Sequence, residues 1–356
     1  MNRRPALSVR ADLRGMDPYV SPQRPARYRM NTNEAPYPPP EVLVKEVAAE
    51  IEAMSLNRYP DRDATKLYDA ISKHVGWPSE GLWVANGSNE VFMHLFLAFG
   101  GPGRKSMTFE PTYSLHTLIP RISGTETFQA TRGDDFEIDL DDAVAAIEKQ
   151  RPDIVIVCSP NNPTGDCEPR STIEALLDVA SGIVIVDEAY GEFDMHDHSA
   201  FSLMAENPKL VITRTFSKAW RLAGVRIGYM LADPALVADL ARVRLPYHLS
   251  AITQVVGEAA IRHADETLRL VKTICDQRDR ITFELQSLGV KTYLSSANFV
   301  LFEVDDPDTV WQGLLDRDVL VRTYAGVDKL DRCLRVTAGL PEETDAFVTA
   351  IKEVLE

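Results

Sequence analysis

Short, uninterrupted runs of apolar residues alternate along the chain with segments in which apolar residues recur every three or four positions. The second pattern predicts helices over residues 41–54 and 65–75. The first pattern predicts strands buried on both faces, as in a parallel sheet. Such runs occupy residues 82–86, 153–158, 182–188 and 209–215. Their alternation with helices predicts an α/β fold with a central, mostly parallel sheet.

The pattern changes on either side of this region. Residues 1–30 are rich in Arg and Pro. The three successive prolines 38–40, a few residues further on, are themselves incompatible with regular helix or a central strand. We interpret residues 1–30 as an N-terminal arm that packs with the smaller domain. Long amphipathic stretches and then short β-rich runs follow Pro246. We therefore predict a large domain over residues 31–246 and a smaller α+β domain over residues 247–356.

Composition and charge narrow the classes of partner. Hydrophobic residues make up 45% and charged residues 26% of the chain, as in ordinary globular proteins. The net charge of -15 disfavours binding to nucleic acid or to anionic membrane surfaces, so an anionic small substrate needs a local cluster of arginines. The sequence has no run of eighteen apolar residues, so no membrane span is predicted. Its four widely spaced cysteines fit a reducing, cytoplasmic setting.

The first predicted strand leads into a turn, Gly87-Ser88-Asn89, and then into a helix. Free backbone N–H groups and the helix dipole at such a turn suit a phosphate group. A Gly-Ser turn that caps a helix is also ordinary structure, so this segment alone leaves both interpretations open.

The next two strands end in polar residues. Asn162 lies in a turn bent by Pro163 and Gly165, where its amide can donate to a phenolate oxygen. Asp187 ends an apolar strand, so its carboxylate has little water around it and needs a cationic partner. A protonated pyridine nitrogen is one such partner, with Tyr190 able to reach the ring oxygen. A structural salt bridge is the alternative.

Lys218 follows the fourth strand and lies between Ser217 and Arg226. An apolar site beside another cation lowers the pKa of an amine, which frees the neutral form to attack an aldehyde and to move a proton. Ser217 and Arg226 could then hold a phosphate. A single lysine is usually a solvated surface charge, and only the neighbouring segments favour a catalytic role here.

Taken in order, the motifs NNPTG, DEAY and SKxxxLAGxR resemble those of the fold-type I aminotransferases, and the resemblance runs from about residue 10 to the C-terminus. It implies pyridoxal 5'-phosphate as cofactor and Lys218 as the catalytic residue that attaches it. It also implies Asp187 against the ring nitrogen, and Asn162 and Tyr190 on the ring hydroxyl. The remaining implied cofactor ligands are Tyr113, stacked on the ring, and Ser88, Asn89, Ser217 and Arg226, on the phosphate.

A closer resemblance is to the aminotransferases that act on histidinol phosphate. It is carried by PYV (18–20), MNTNEAPY (30–37), NRYPD (57–61), VLVRTY (319–324) and CLRVTAG (333–339). It implies a homodimer with shared active sites, in which Tyr59 reaches the cofactor phosphate of the neighbouring subunit. Arg335 would bind glutamate carboxylate or substrate phosphate, helped by Arg322 and Tyr37. The implied reaction is ping-pong amino transfer between L-glutamate and imidazole-acetol phosphate, a step of histidine biosynthesis.

Several alternatives stay open at this point. Arg322 and Arg335 could be ordinary strand-end charges, and Ala35 and Pro38 depart from the NENPYGP pattern, which leaves side-chain specificity open. An aromatic-amino-acid aminotransferase or a threonine-phosphate decarboxylase would share the cofactor residues. A cofactor-sensing regulator would usually carry a DNA-binding domain, for which the arm is too short. The alternating Asp and His of residues 194–198 are interpreted as a solvated loop, and no metal is predicted.

Overall fold

A seven-stranded sheet forms the centre of the molecule. In the computed structural model, which describes residues 9–16 and 24–356, its strands lie in the order β2-β8-β7-β6-β5-β3-β4. Strands β3 to β7 are all parallel, and β8 pairs antiparallel with both of its neighbours. The predicted fold class, α/β with a mostly parallel sheet, is confirmed. The strands are β2 (Leu82–Ala85), β3 (Lys105–Glu110), β4 (Glu126–Thr131), β5 (Ile154–Cys158), β6 (Ile183–Asp187), β7 (Leu210–Thr215) and β8 (Gly228–Leu231).

Helices cover both faces of this sheet, which explains why its central strands are continuously apolar. In β5, Val155 and Val157 face one core cluster, whereas Ile154 and Ile156 face the other. A strand buried on both sides needs apolar residues at every position, because successive side chains point to opposite faces. The helices of this region are α3 (Ser88–Phe99), α4 (Leu115–Ser123), α5 (Leu140–Gln150), α6 (Arg170–Val179) and α7 (Pro234–Leu240).

A four-stranded antiparallel sheet, in the order β12-β13-β10-β9, lies in the C-terminal part of the chain. The first strand of the described residues, β1 (Tyr28–Arg29), pairs in parallel with β11 (Val319–Leu320). This pairing ties the end of the predicted arm to the predicted smaller domain. The other strands are β9 (Lys291–Thr292), β10 (Phe299–Glu303), β12 (Arg322–Thr323) and β13 (Cys333–Thr337).

The remaining helices connect and flank the sheets. Helix α8 packs against α1 and α2, and α10 packs against α12. The predicted division between residues 246 and 247 falls shortly before α8 and stays a prediction, as does the predicted boundary at residue 30. These helices are α1 (Glu41–Glu52), α2 (Thr65–Val75), α8 (Ala251–Arg262), α9 (Ala264–Leu268), α10 (Val271–Ser287), α11 (Pro307–Leu315) and α12 (Pro341–Leu355).

The predicted helices and strands agree with the structure to within two residues at each end. Helix α2 begins and ends where the apolar pattern predicts, and Gly76, with a φ of +73°, ends it in a left-handed conformation. The motif at residues 18–20 lies outside the described residues. Within the described part of the chain, no helix is both long enough and apolar enough to cross a membrane.

Candidate active site

A cavity of about 410 Å³ opens where the C-terminal ends of β5, β6 and β7 meet the start of α3, the segment 31–34 and the small sheet. Ligands commonly bind at this edge of open α/β sheets. The structure brings most of the predicted site residues together here. Those that line the cavity are Ser88, Asn89, Tyr113, Asn162, Asp187, Tyr190, Ser217, Lys218, Arg226, Arg322 and Arg335.

Lys218 lies three residues beyond the end of β7, and its side chain enters the cavity. Its Nζ donates to the carbonyl oxygen of Thr32 at 3.1 Å. Burial, and to a lesser extent the charges of Arg335 and Arg226, lower the pKa of Lys218 to about 8, although Glu34 opposes them. A substantial fraction of the amine is therefore neutral near pH 8, which is the form that attacks a carbonyl carbon.

Asp187 is buried at the end of β6 and is held by two neighbours. Thr213 donates its hydroxyl to Oδ1 at 2.8 Å, and His116 Nε2 lies 3.0 Å from Oδ2. The sequence did not indicate His116, which belongs to α4 and lies three residues after Tyr113. These contacts fix the direction of the carboxylate, so Asp187 presents a fixed anionic oxygen pair at the cavity wall.

Two amides converge on the hydroxyl of Tyr190. Asn162 Nδ2 lies 3.4 Å from Tyr190 Oη, and Asn33 Nδ2 lies 2.9 Å from it. Burial raises the pKa of Tyr190, so the hydroxyl keeps its proton at neutral pH. The sequence predicted Tyr190 and Asn162 but not Asn33, whose segment is distant along the chain.

The start of α3 lies beside Ser217 and Arg226. Arg226 Nη1 donates to Ser217 Oγ at 3.2 Å, and the Arg226 guanidinium packs against Gly87 so closely that a Cβ there would lie 2.4 Å from Nη2. Gly87 also has a φ of +88°, which favours glycine. The first N–H groups of a helix lack acceptors within it. Those of Ser88 and Asn89, with the guanidinium, form an anion-binding corner.

Arg322 and Arg335 are opposite each other on the antiparallel strands β12 and β13. Arg335 donates to Asn162 Oδ1 at 2.5 Å and to the carbonyl oxygen of Asn31 at 2.9 Å. Both guanidinium carbons lie 5.9 Å from the ring centre of Tyr324, a cavity residue that the sequence did not single out. The two arginines supply the local positive charge that an anionic substrate requires in a protein of net charge -15.

Comparison with known proteins agrees with this arrangement. The family model described as "Aminotransferase class I and II" matches residues 28–351. The chain belongs to this aminotransferase family. The predicted family is thereby confirmed, and with it the prediction that the protein is an enzyme.

Individual relatives are similar over nearly the whole chain. A histidinol-phosphate aminotransferase of Mycobacterium avium is 47% identical over 354 residues, which cover 97% of this chain and 88% of the relative. One of Corynebacterium efficiens is 45% identical, covering 98% and 95% of the two chains. The crystal structure of histidinol-phosphate aminotransferase from Sinorhizobium meliloti in complex with pyridoxal-5'-phosphate has a TM-score of 0.89 at 24% identity, covering 99% and 98%.

Pyridoxal phosphate is the cofactor of these aminotransferases, and the cavity fits it. The anion-binding corner at Ser88 and Arg226 suits the phosphate, and the buried carboxylate of Asp187 suits a protonated ring nitrogen. Lys218 provides an amine whose pKa is lowered to about 8, as attachment to an aldehyde requires. The cavity therefore offers a suitable residue for the phosphate, the ring nitrogen and the aldehyde of the cofactor.

Two predicted site residues of the aminotransferase do not line the cavity of a single chain. Tyr37 is half-buried and packs against the main core, where burial and then Glu342 raise its pKa. Tyr59 is 80% exposed, and its ring stacks on that of Tyr247 with the centres 4.5 Å apart. The predicted roles of Tyr37 and Tyr59 therefore stay predictions that depend on a second subunit or on closure.

In the loop at residues 194–198, the Asp194 carboxylate is hydrogen-bonded to other residues of the same loop. Asp194 accepts the backbone N–H groups of His196 and His198, at 3.1 and 2.6 Å, and His198 Nδ1 lies 3.0 Å from it. Burial by itself would raise the pKa of Asp194, but these hydrogen bonds together outweigh it and lower the pKa. Although Cys167, Asp194 and His198 are close enough to share an ion, the hydrogen bonds explain the Asp194 carboxylate as a support for the loop.

Proposed function

We propose that this protein is a pyridoxal-phosphate-dependent aminotransferase that moves an amino group between L-glutamate and imidazole-acetol phosphate, giving L-histidinol phosphate and 2-oxoglutarate. The observation that carries the proposal is the pairing of Lys218 with two arginines in one cavity. Lys218 serves amino transfer in general, whereas Arg322 and Arg335 together suit the phosphate group of one substrate or the carboxylate of the other. Relatives named for this activity, 45–47% identical to the chain, support the choice of substrate.

The chain's own residues divide the work. Lys218 would hold the cofactor through its amine, and the same amine, when free, would take the proton from the substrate Cα and move it to its new position. The bound cofactor supplies an electron sink for the pair of electrons that the departing proton leaves behind. Asp187 keeps the ring nitrogen protonated, and Asn162 and Tyr190 hold the ring oxygen. In this way the site fixes every reacting atom before the proton moves.

Arg335 binds the anionic group of whichever substrate occupies the site. Its guanidinium is already ordered by Asn162 and by the Asn31 carbonyl, so little side-chain freedom is lost when the anion arrives. Arg322, on the neighbouring strand, adds a second set of donors. Glutamate and the phosphorylated substrate can use this pair in turn, as a ping-pong reaction requires.

The substrate is tested by a half-reaction. Protein loaded with pyridoxal phosphate is mixed separately with histidinol phosphate, glutamate, phenylalanine and threonine phosphate, and the yellow absorbance band of the cofactor is followed. We expect histidinol phosphate and glutamate to bleach it rapidly and phenylalanine to do so much more slowly. Equal rates with phenylalanine would indicate an aromatic aminotransferase, and release of carbon dioxide from threonine phosphate would indicate a decarboxylase.

We also propose that the enzyme is a homodimer with shared active sites. Large apolar side chains cluster on the surface around Tyr59, where Leu56 is 68%, Leu245 71% and Tyr247 40% exposed. Such exposed apolar surface is typical of protein–protein interfaces. Sedimentation velocity tests the assembly: a species of about 79 kDa, twice the chain mass of 39.7 kDa, is expected at micromolar concentration.

A cytoplasmic location is the last part of the proposal. All four cysteines are unpaired, and three of them are buried. Proteins that work in reducing compartments commonly leave cysteines in this state. Fractionation of cells that express the tagged chain should place it with cytoplasmic markers, and enrichment in a membrane or exported fraction would contradict the proposal.

A further inference from the structure

Asn33, in the segment 31–34, contacts the hydroxyl of Tyr190, which follows the strand β6. Its Nδ2 lies 2.9 Å from Tyr190 Oη, and the residue is only 1% exposed. Its φ of +56° is left-handed, a conformation that asparagine adopts more readily than most residues. Asn298 Nδ2 donates to the Asn33 carbonyl at 3.2 Å and so holds this backbone in place.

Thr337 fixes which way the Asn33 amide points. The backbone N–H of Asn33 donates to Thr337 Oγ1 at 3.0 Å, so the single hydrogen of that hydroxyl is available to donate elsewhere. Asn33 Oδ1 lies 3.1 Å from the same hydroxyl and accepts that hydrogen. With the amide oxygen facing Thr337, the amide nitrogen faces Tyr190.

Arg335 fixes the second amide in the same way. Its Nη1 lies 2.5 Å from Asn162 Oδ1, and a guanidinium can only donate. The oxygen of Asn162 therefore faces Arg335, and its nitrogen faces Tyr190 Oη at 3.4 Å. Both amides thus offer N–H groups to one phenolic oxygen.

A phenolic hydroxyl has one hydrogen to donate and can accept from neighbouring donors. Because Asn33 and Asn162 both donate to it, the hydrogen of Tyr190 has to point in a third direction, and Tyr190 lines the cavity. We propose that Asn33, oriented by Thr337, is a positioning residue that directs the hydroxyl hydrogen of Tyr190 into the cavity, toward the ring oxygen of the cofactor. The inference rests on the cofactor of the proposed function and not on its substrate.

Two physical consequences follow for the loaded enzyme. Accepting hydrogen bonds polarises the O–H group of Tyr190, which strengthens the bond that it donates. Donation to the ring oxygen withdraws negative charge from it, so a proton on the neighbouring nitrogen of the Lys218 linkage is held less tightly. Loss of the Asn33 amide should therefore raise the pH midpoint at which the absorbance band of the bound cofactor changes.

The test compares three variants, N33G, T337V and T337S, with the wild type, all without substrate. Glycine keeps the left-handed backbone but removes the amide, and valine removes the hydroxyl that orients it, whereas serine keeps that hydroxyl. N33G and T337V should raise the absorbance midpoint and weaken cofactor binding about fivefold, the effect of one hydrogen bond. T337S should match the wild type in both measurements.

A double-mutant cycle with Y190F separates positioning from a general structural effect. If Asn33 acts through Tyr190, N33G should change the midpoint in the wild type and leave it unchanged in the Y190F background. An unchanged midpoint in N33G and T337V, an equal change in T337S, or a change that persists in Y190F would overturn the inference. If N33G does not fold, as judged by circular dichroism, T337V and T337S carry the same comparison. The choice of substrate affects none of these measurements.

Discussion

The cavity has two walls that are built differently. One wall consists of residues at the strand ends of the large sheet, among them Asn162, Asp187 and Lys218, and neighbouring parallel strands set their spacing. The other wall consists of the segment 31–34 and of arginines on the small sheet. Hydrogen bonds that join the walls include those of Lys218 to Thr32, Arg335 to Asn162 and Asn33 to Tyr190.

The difference suggests a division of labour. The first wall is rigid because every strand in it is hydrogen-bonded on both sides, so it suits groups that must not move during the reaction. The second wall has support of its own, because β13 pairs with both β10 and β12 and Asn33 contacts Thr337 and Asn298. Its arginines are the groups proposed to bind the anionic part of the substrate, away from the reacting atoms. Changes in the first wall should therefore lower kcat, and changes in the second should mainly raise KM.

Among changes in the first wall, Lys218→Ala should have the largest effect on activity. Both attachment of the cofactor and the proton transfer at Cα depend on this amine, so we expect kcat to fall by about 10⁴-fold, at the upper end for a general acid–base. The half-reaction with histidinol phosphate measures it. Lys45→Ala, which changes a lysine whose side chain is 74% exposed, is the control and should keep full activity. Substantial turnover by the Lys218 variant would contradict the proposed function.

Asp187→Asn removes charge from the same wall without changing its shape. The amide can still bond to Thr213 and His116 but no longer stabilises a protonated ring nitrogen, so kcat should fall by about 10³-fold, comparable to the loss of a preorganised electrostatic group. Stopped-flow absorbance of the half-reaction gives the rate. Asp194→Asn, at a carboxylate that supports a loop, is the matched control. A loss confined to KM would place Asp187 outside the chemistry.

The two walls also differ in how far the sequence predicted them. Lys218, Asp187 and Asn162 follow apolar strands, and the buried strand and the polar turn after it are both visible locally. Asn33, His116 and Tyr324 gain their roles from distant partners: His116 meets Asp187 across 71 residues, and Asn33 meets Tyr190 across 157. Each has a weak local signal: Asn33 and Tyr324 lie within the motifs MNTNEAPY and VLVRTY, and His116 lies three residues after Tyr113 at the start of a helix. None of these signals names the partner, which is set by packing between distant segments.

The pKa of Lys218 offers a pH-dependent test of the first wall. Burial and neighbouring cations lower it to about 8, and only the neutral amine captures the cofactor aldehyde. In cofactor-free protein the rate of capture should rise about tenfold per pH unit up to about pH 8, roughly 100-fold from pH 6, and then level off. A rate that continues to rise toward pH 10 would show an ordinary lysine. Absorbance after stopped-flow mixing measures the rate.

Changes in the second wall should act on binding. Arg335→Lys keeps the charge but loses the planar pair of donors, and a hydrogen bond to a charged group contributes about 1.5–3 kcal/mol, so KM for histidinol phosphate should rise about 30-fold with a smaller change in kcat. Arg322→Lys should raise KM less, because Arg335 is the residue ordered by Asn162. Steady-state kinetics with histidinol phosphate varied at fixed 2-oxoglutarate separates the two constants. A fall in kcat with KM unchanged would overturn the division between the walls.

The smallest predicted effect tests whether a partner subunit completes the site. Tyr59→Phe removes one hydroxyl, so cofactor affinity should fall about fivefold, as expected for one hydrogen bond. Tyr28→Phe, on the strand β1, is the control and should bind cofactor normally. Mixing Tyr59→Phe with Lys218→Ala subunits sharpens the test, because each hybrid dimer contains one site with Lys218 from one chain and Tyr59 from the other. At limiting cofactor the mixture should then be more active than either variant alone, and simple dilution of the Tyr59 variant's activity would show that each chain builds its site unaided.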